Sequence, residues 1–386
     1  MHHIQRVGYK LTTKVKAWQI SIPCSIPDND LEDFKEVNWG VQYFYSPYYD
    51  AASRYFTVEL SFIEDDARCG IIFPAILLDT NNSELYADMN LFQQHAILFG
   101  MYALLDNYAE SIESSINKNM VLEFSDIPIL DNLYIWVYDQ TKLSRIDDVL
   151  PSLYSNGFLF IQEPFGGNDR FYISDYISRI KENEDKSKKK IKLDSITDTL
   201  ADFQYLSVLY REILPLNIPP AYRFLLLYQI IEFLMDKKKN EILIENIASY
   251  KTRNRGDLRE TIASTLKEDR LIDKIFDKIG ESKPFHIDFI SESKLFLRNI
   301  GKDPLKDEHF YNCMYGVRNV LVHNYKEAVK YPDQIKLLAE CFELAIIDLV
   351  NQVNIKNDDS KLLFVVDKSQ KYKENVHRLS KIFHEK

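Results

Sequence analysis

The stretch Phe310–Tyr325 reads Phe-Tyr-Asn-Cys-Met-Tyr-Gly-Val-Arg-Asn-Val-Leu-Val-His-Asn-Tyr. Its apolar residues recur at helical spacing, and three polar groups stand among them: the Arg318 guanidinium, the Asn319 amide and the His323 imidazole. The segments around it carry the same helical period, whereas the first half of the chain does not. Reading outward from this stretch therefore separates an all-helical region from a mixed one.

Toward the N-terminus, Ile287–Ile300 ends at Gly301 and Leu271–Ile279 ends at Gly280, glycines suited to closing a helix. Leu258–Leu266 is a further short amphipathic piece. Ala221–Met235 is apolar almost all round and follows Pro219 and Pro220, so it is expected to be the central, buried helix. Before it, Ile196, Leu200, Phe203, Leu206, Tyr210 and Ile213 recur at steps of three and four, which predicts one helix stopped by Pro215. On the other side, Pro332–Val350 has the stripe Ile335, Leu338, Phe342, Ala345, Ile346 and Leu349. These segments predict an α-helical bundle over residues 195–355. A tail, 356–386, holds a short strand candidate at Leu362–Val366 and a charged helix.

Residues 181–194 are expected to be a charged linker, because Lys181–Lys190 is nearly all charged and has no apolar anchor. Residues 1–180 read as a mixed α and β domain. Arg54–Ile63 alternates, with Phe56, Val58, Leu60 and Phe62 on one face, which predicts a half-buried strand. Lys14–Ile22 is read as one strand whose phase slips at Ala17-Trp18, as a bulge would make it. Cys69–Leu78 is apolar, but Pro74 argues against a central place in a sheet. Met89–Ile116 is helical, and Val121–Phe124 and Leu133–Tyr138 return to strand character. Phe158–Gln162 and Arg170–Ile173 flank Gly166-Gly167-Asn168-Asp169, a hairpin signal. The fold class is thus α+β.

Chemistry-bearing groups are few in the first half. His95 lies on an apolar helical face and is read as a core residue, and Gly166-Gly167 is too short to cradle a phosphate. The four cysteines, Cys24, Cys69, Cys313 and Cys341, lack metal-ligand spacing and fit a reducing cytoplasm. No leader-like segment is read at the start, and no apolar run is long enough to span a bilayer, so no membrane partner is expected. The formal charge of −10 is unevenly spread. Residues 1–184 carry 13 Lys and Arg against 27 Asp and Glu, whereas residues 191–356 carry 24 against 25. An acidic face repels RNA, which makes the first half a sensing or protein-binding module, open to a protein trigger.

Arg318, Asn319 and His323 supply the groups that RNA cleavage without a metal requires. Histidine, with an ordinary pKa of ~6.5, moves a proton at neutral pH. Arginine offers a planar fork to phosphate oxygens, and an asparagine holds either partner in place. Spacing alone is weak: in a chain with 8 histidines, an arginine five positions before one arises by chance roughly 0.3 times. The tail holds a comparable pair, Arg378 and His384, but in a highly charged segment outside the bundle. Five helical residues turn through about 500°, so Arg318 and His323 are expected to converge only where the helix ends, with Asn324 as a left-handed cap.

Arg318-Asn319-Val320-Leu321-Val322-His323 resembles the signature of HEPN domains: an arginine, a polar residue, and a histidine after four to six intervening positions. Tyr228–Leu234, with Glu232 inside it, resembles their glutamate-bearing central helix. The resemblance covers about residues 195–352 and is closest to the Apea-like group of bacterial defence proteins. It implies a metal-independent, cofactor-free endoribonuclease, a toxin or anti-phage effector acting on RNA such as tRNA. It also implies a homodimer through the bundle, each site combining Arg318 and His323 from both chains. Glu232 is expected to support the site by pairing with Arg318, since a carboxylate in so apolar a helix needs a partner. Lys251, Arg253, Arg255 and Arg259 form a basic stretch that can steer RNA through phosphate contacts. A different class of function, a non-catalytic helical interaction module that regulates a partner, fits the same pattern.

Overall fold

The computed structural model describes residues 4–7, 10–15, 18–23, 38–47, 57–63, 66–78, 91–112, 127–143, 145–165, 171–177, 190–197, 199–200, 203–248, 260, 267–276, 283–302 and 309–353. The chain forms two units: residues 1–196 with 203–218, and residues 197–202 with 219–386. The first is built on sheets and the second is mostly helical, an α+β chain.

The first unit contains an antiparallel three-stranded sheet of β1 (Ile4–Val7), β2 (Lys10–Val15) and β3 (Trp18–Pro23). Val15 pairs with Trp18, so the phase slip at Ala17-Trp18 marks a reversal of chain direction, not a bulge in one strand. The second sheet has β4 (Trp39–Tyr45), β5 (Val58–Phe62), β6 (Arg68–Pro74), β7 (Leu133–Asp139), β8 (Leu159–Ile161) and β9 (Lys190–Leu193) in the order β8-β4-β7-β6-β5-β9. Every pairing is antiparallel except β5 with β9.

β7 lies inside this sheet and is buried from Leu133 to Tyr138 because both of its faces are covered. Ile135 and Val137 join Ile71, Phe73 and Tyr43 against Ala96, Ile97, Met101 and Leu104 of helix α1 (Leu91–Ile112). Tyr134 and Trp136 point the other way, into an aromatic layer with Phe44 and Phe158. Between Phe158 and β7 runs helix α2 (Leu150–Ser155), closed by Gly157 at φ 85°.

β6 pairs with β5 on one side and β7 on the other, so Pro74 does not exile its strand to an edge. The reason is positional: β5 pairing stops at Ile72, and Pro74 sits beyond it, facing only Tyr134 of β7. Gly70 is the tight point. A Cβ there would meet the Val137 carbonyl oxygen, with Trp136 Nε1 at 2.6 Å and Tyr138 Cα at 2.9 Å. Backbone atoms cannot swing aside as a side chain does, so Gly70→Ala is expected to destabilise the unit by about 1–3 kcal/mol. Urea unfolding with an unshifted midpoint would contradict this.

Three further sequence expectations change. Lys190–Leu193, assigned to the linker, is the edge strand β9. Its lysines meet Asp66 at 3.1 and 3.3 Å, so charge covers the edge while Leu193 is buried. Among the described residues, 171–173 do not pair with β8: Phe171 makes an isolated bridge to Leu216, and β8 pairs with β4. The helix expected from Ile196 begins only at Gln204, as α3 (Gln204–Val208) running into a π-helical turn at Leu209–Ile213. It belongs to the first unit, where Tyr210 meets Tyr154 at 5.7 Å between ring centroids and Arg211 pairs with Asp147 at 2.6 Å.

The second unit packs α4 (Pro220–Ala248), α5 (Glu268–Phe276), α6 (Pro284–Asn299), α7 (Phe310–His323), α8 (Tyr325–Ala328) and α9 (Pro332–Gln352). Ala221–Met235 of α4, expected to be the central, buried helix, is buried for most of its length, while α9 is buried without a break from Leu338 to Val350. α4 runs on to Ala248 and leaves Tyr222 exposed. An aromatic stack ties the helices together: Phe224 lies 4.3 Å from Phe342, and Phe289 lies 4.7 Å from Phe310. α6 closes as its sequence anticipates. Gly301 adopts φ 74°, its N–H reaches the Arg298 carbonyl, and the Lys302 N–H reaches that of Leu297. Val121–Phe124, Gly166–Asp169, Lys251, Arg253, Arg255, Arg259 and the tail from residue 354 lie outside the described residues, as does the side chain of His95. Among the described residues, no helix is long and apolar enough to cross a membrane.

Candidate functional site

α7 owes its orientation to its apolar spacing. Phe310, Cys313, Met314, Val317, Val320 and Leu321 are buried, leaving Tyr315, Arg318, Asn319 and Val322 on the other side. The helix is continuous through His323, its last residue, which is exposed. Asn324 ends it with an N–H bond to the Val320 carbonyl at 2.7 Å. Its backbone, at φ −138° and ψ 32°, is not the left-handed cap that was expected. The Asn324 carbonyl immediately accepts from the N–H groups of Glu327 and Ala328, so the residue serves as the joint between α7 and α8.

Arg318 is held by three neighbours. Its Nη2 donates to Glu232 Oε1 at 3.4 Å, its Nη1 donates to Asn319 Oδ1 at 3.2 Å, and its guanidinium carbon lies 5.3 Å from the centre of the Tyr228 ring. The pairing with Glu232 expected from the sequence is present. The carboxylate, however, is not buried: its side chain is 38% exposed against 21% for Arg318. At that exposure and length the pair contributes about 0–1 kcal/mol and can be exchanged for another anion.

Because α7 is unbroken to His323, Arg318 and His323 stand roughly 140° apart around its axis. The helix end does not bring them onto one face, contrary to expectation. Asn319 and His323 are four residues apart and do share a face. Asn319 thus touches the arginine with its side chain while standing one turn below the histidine.

Three residues near the site were missed. Tyr228 Oη donates to Glu268 Oε1 at 3.3 Å, and Tyr315 Oη donates to Glu268 Oε2 at 3.1 Å. Burial pushes the Tyr228 phenol well above its usual range, and the Glu268 carboxylate adds to the shift. The phenol is therefore a neutral donor at physiological pH. The available signal was periodic: Tyr228 lies one turn before Glu232, and Tyr315 one turn before Arg318.

Around the helix end, Tyr222, Val322, Tyr325 and Val329 are exposed apolar or aromatic side chains, with the Tyr222 and Tyr325 rings 6.5 Å apart. Cys313 and Cys341 are buried thiols. Among the described residues, no group of three or more His, Cys, Asp or Glu side chains is placed to hold a metal ion. No family model, curated protein or solved structure matches this chain.

Proposed function

We propose that the helical unit is a HEPN-type, metal-independent endoribonuclease of the cytoplasm, acting on RNA such as tRNA as a toxin or anti-phage effector. The observation that carries this reading is the state of α7: a partly exposed, anchored guanidinium, an amide bonded to it, and an exposed imidazole at the helix end. The ribose 2′-oxygen attacks phosphorus as its proton leaves, the bond from phosphorus to the 5′-oxygen breaks, and that oxygen gains a proton. Imidazole transfers these protons, while the guanidinium fork stabilises the charge on the phosphorane. The products are a 2′,3′-cyclic phosphate and a 5′-hydroxyl.

A separation of roughly 140° on one helix favours a site completed by a second chain. The exposed Tyr222, Val322, Tyr325 and Val329 beside His323 support such a contact, because apolar groups clustered at a surface gain from being covered. The acidic first half then receives a protein trigger, and Lys251, Arg253, Arg255 and Arg259 guide RNA. A second reading, a non-catalytic dimerising module that regulates a partner, draws support from Arg318 already being neutralised by Glu232.

Sequencing of RNA ends from cells expressing the wild type and His323→Ala side by side separates the two. Recurrent 2′,3′-cyclic phosphate ends with the wild type alone are expected. Identical end profiles in both cultures would favour the interaction module.

A further inference from the structure

Glu232 cannot be what keeps Arg318 aimed while a phosphate is bound. Its single 3.4 Å contact competes directly with an anion that offers two charged oxygens to the same fork. Of the other two contacts, the Asn319 amide occupies one N–H of the fork, whereas the ring of Tyr228 holds the guanidinium by its face and leaves the N–H edges open to an anion.

That ring is itself fixed. Tyr228 is 1% exposed, and its hydroxyl is tied to one oxygen of Glu268 while the Tyr315 hydroxyl takes the other. One carboxylate at the start of α5 thereby links α4 to α7, one turn away from Arg318. We propose that Tyr228, latched through Glu268 to Tyr315, is the positioning residue that holds the Arg318 guanidinium in one orientation for the phosphate. The proposal rests on the ribonuclease reading for its effect on rate, but not for its effect on the arginine.

The test uses the purified full chain with Tyr228→Leu, Tyr228→Phe, Glu268→Ala and Arg318→Ala. Three quantities are measured: single-turnover cleavage, affinity for an uncleavable 2′-deoxy analogue of the RNA, and the Nε–Hε NMR signal of Arg318. That signal is assigned by its loss in Arg318→Ala and is displaced by the ring current of Tyr228. Tyr228→Leu is expected to return it to the free-arginine position and slow cleavage about 100-fold, the usual effect of misplacing a reacting group. Affinity for the analogue should change less than about threefold, because the charge remains. Tyr228→Phe keeps the ring but removes the hydroxyl bonded to Glu268, so it is expected to retain part of the displaced signal and to lose less rate than Tyr228→Leu. Glu268→Ala frees the same latch without removing the ring and should, like Tyr228→Phe, fall between the wild type and Tyr228→Leu; it also carries the test if Tyr228→Leu does not fold.

An undisplaced signal in the wild type, or an unchanged signal in both Tyr228→Leu and Glu268→Ala, overturns the positioning role. So does equal damage from Phe and Leu, or a loss of affinity that matches the loss of rate. Absence of cleavage by the wild type sinks the ribonuclease reading instead, and the NMR signal still decides whether Tyr228 holds Arg318.

Discussion

Replacing His323 by alanine is expected to lower RNA cleavage by about 10²- to 10⁴-fold, the range over which a positioned acid–base group acts. The protein should stay folded, because the burial that fixes α7 belongs to Phe310, Cys313, Met314, Val317, Val320 and Leu321, and His323 is exposed. An exposed substitution of this kind normally changes stability by less than about 0.5 kcal/mol. Arg318→Ala should be comparably inactive through loss of phosphorane stabilisation. The sharper expectation concerns mixtures. A dimer formed from one Arg318→Ala chain and one His323→Ala chain retains one arginine and one histidine at the shared site, whereas either homodimer lacks one type altogether. Co-expression should therefore recover cleavage that neither variant shows alone. Wild-type rates in either single variant would remove the assignment, and inactive mixtures of folded, mixed dimers would remove the shared site.

What the sequence disclosed about this site is what periodicity can carry. The buried stripe of α7 and its end at His323 follow from steps of three and four, and the pairing of Arg318 with Glu232 from the cost of an unpaired carboxylate in an apolar helix. Periodicity says nothing about which helix occupies the centre. Residues Ala221–Met235 of α4 are the more apolar by sequence, yet α9 is the one buried without a break and takes Glu340, Glu343 and Asp348 inside with it. Partners distant in sequence were hidden for the same reason. Glu268 is an ordinary acidic residue until two tyrosines from separate helices reach its two oxygens. In the first unit, Lys190–Leu193 looked like linker because lysines dominate it, although Ile191 and Leu193 alternate with them as an edge strand requires. The stripe from Ile196 to Ile213 crosses from one unit to the other and back, which no pattern of spacing reveals.

Glu343→Ala is expected to destabilise the helical unit by about 3–5 kcal/mol. Arg223 of α4 is 2% exposed and Glu343 of α9 fully buried, with Nη1 and Oε2 2.7 Å apart. Removing the carboxylate takes from a buried guanidinium the charge it is paired with. Phe224 and Phe342, the next residues on each helix, are stacked at 4.3 Å and hold the two backbones too firmly for the arginine to escape. The same reasoning gives the opposite sign for the pair. Among the described residues Glu343 Oε1 has no hydrogen-bond partner, so the ion pair does not recover the full cost of desolvating its two charges. Arg223→Met combined with Glu343→Leu should then be at least as stable as the wild type, and by the precedent of buried pairs up to about 4 kcal/mol more so. Helix content followed at 222 nm through urea and thermal unfolding measures both variants. A single variant within about 1 kcal/mol of the wild type would show that the pair is not desolvated, because exposed pairs contribute no more than that. A double variant less stable than Glu343→Ala would show that the charges, and not the packing around them, hold α4 to α9.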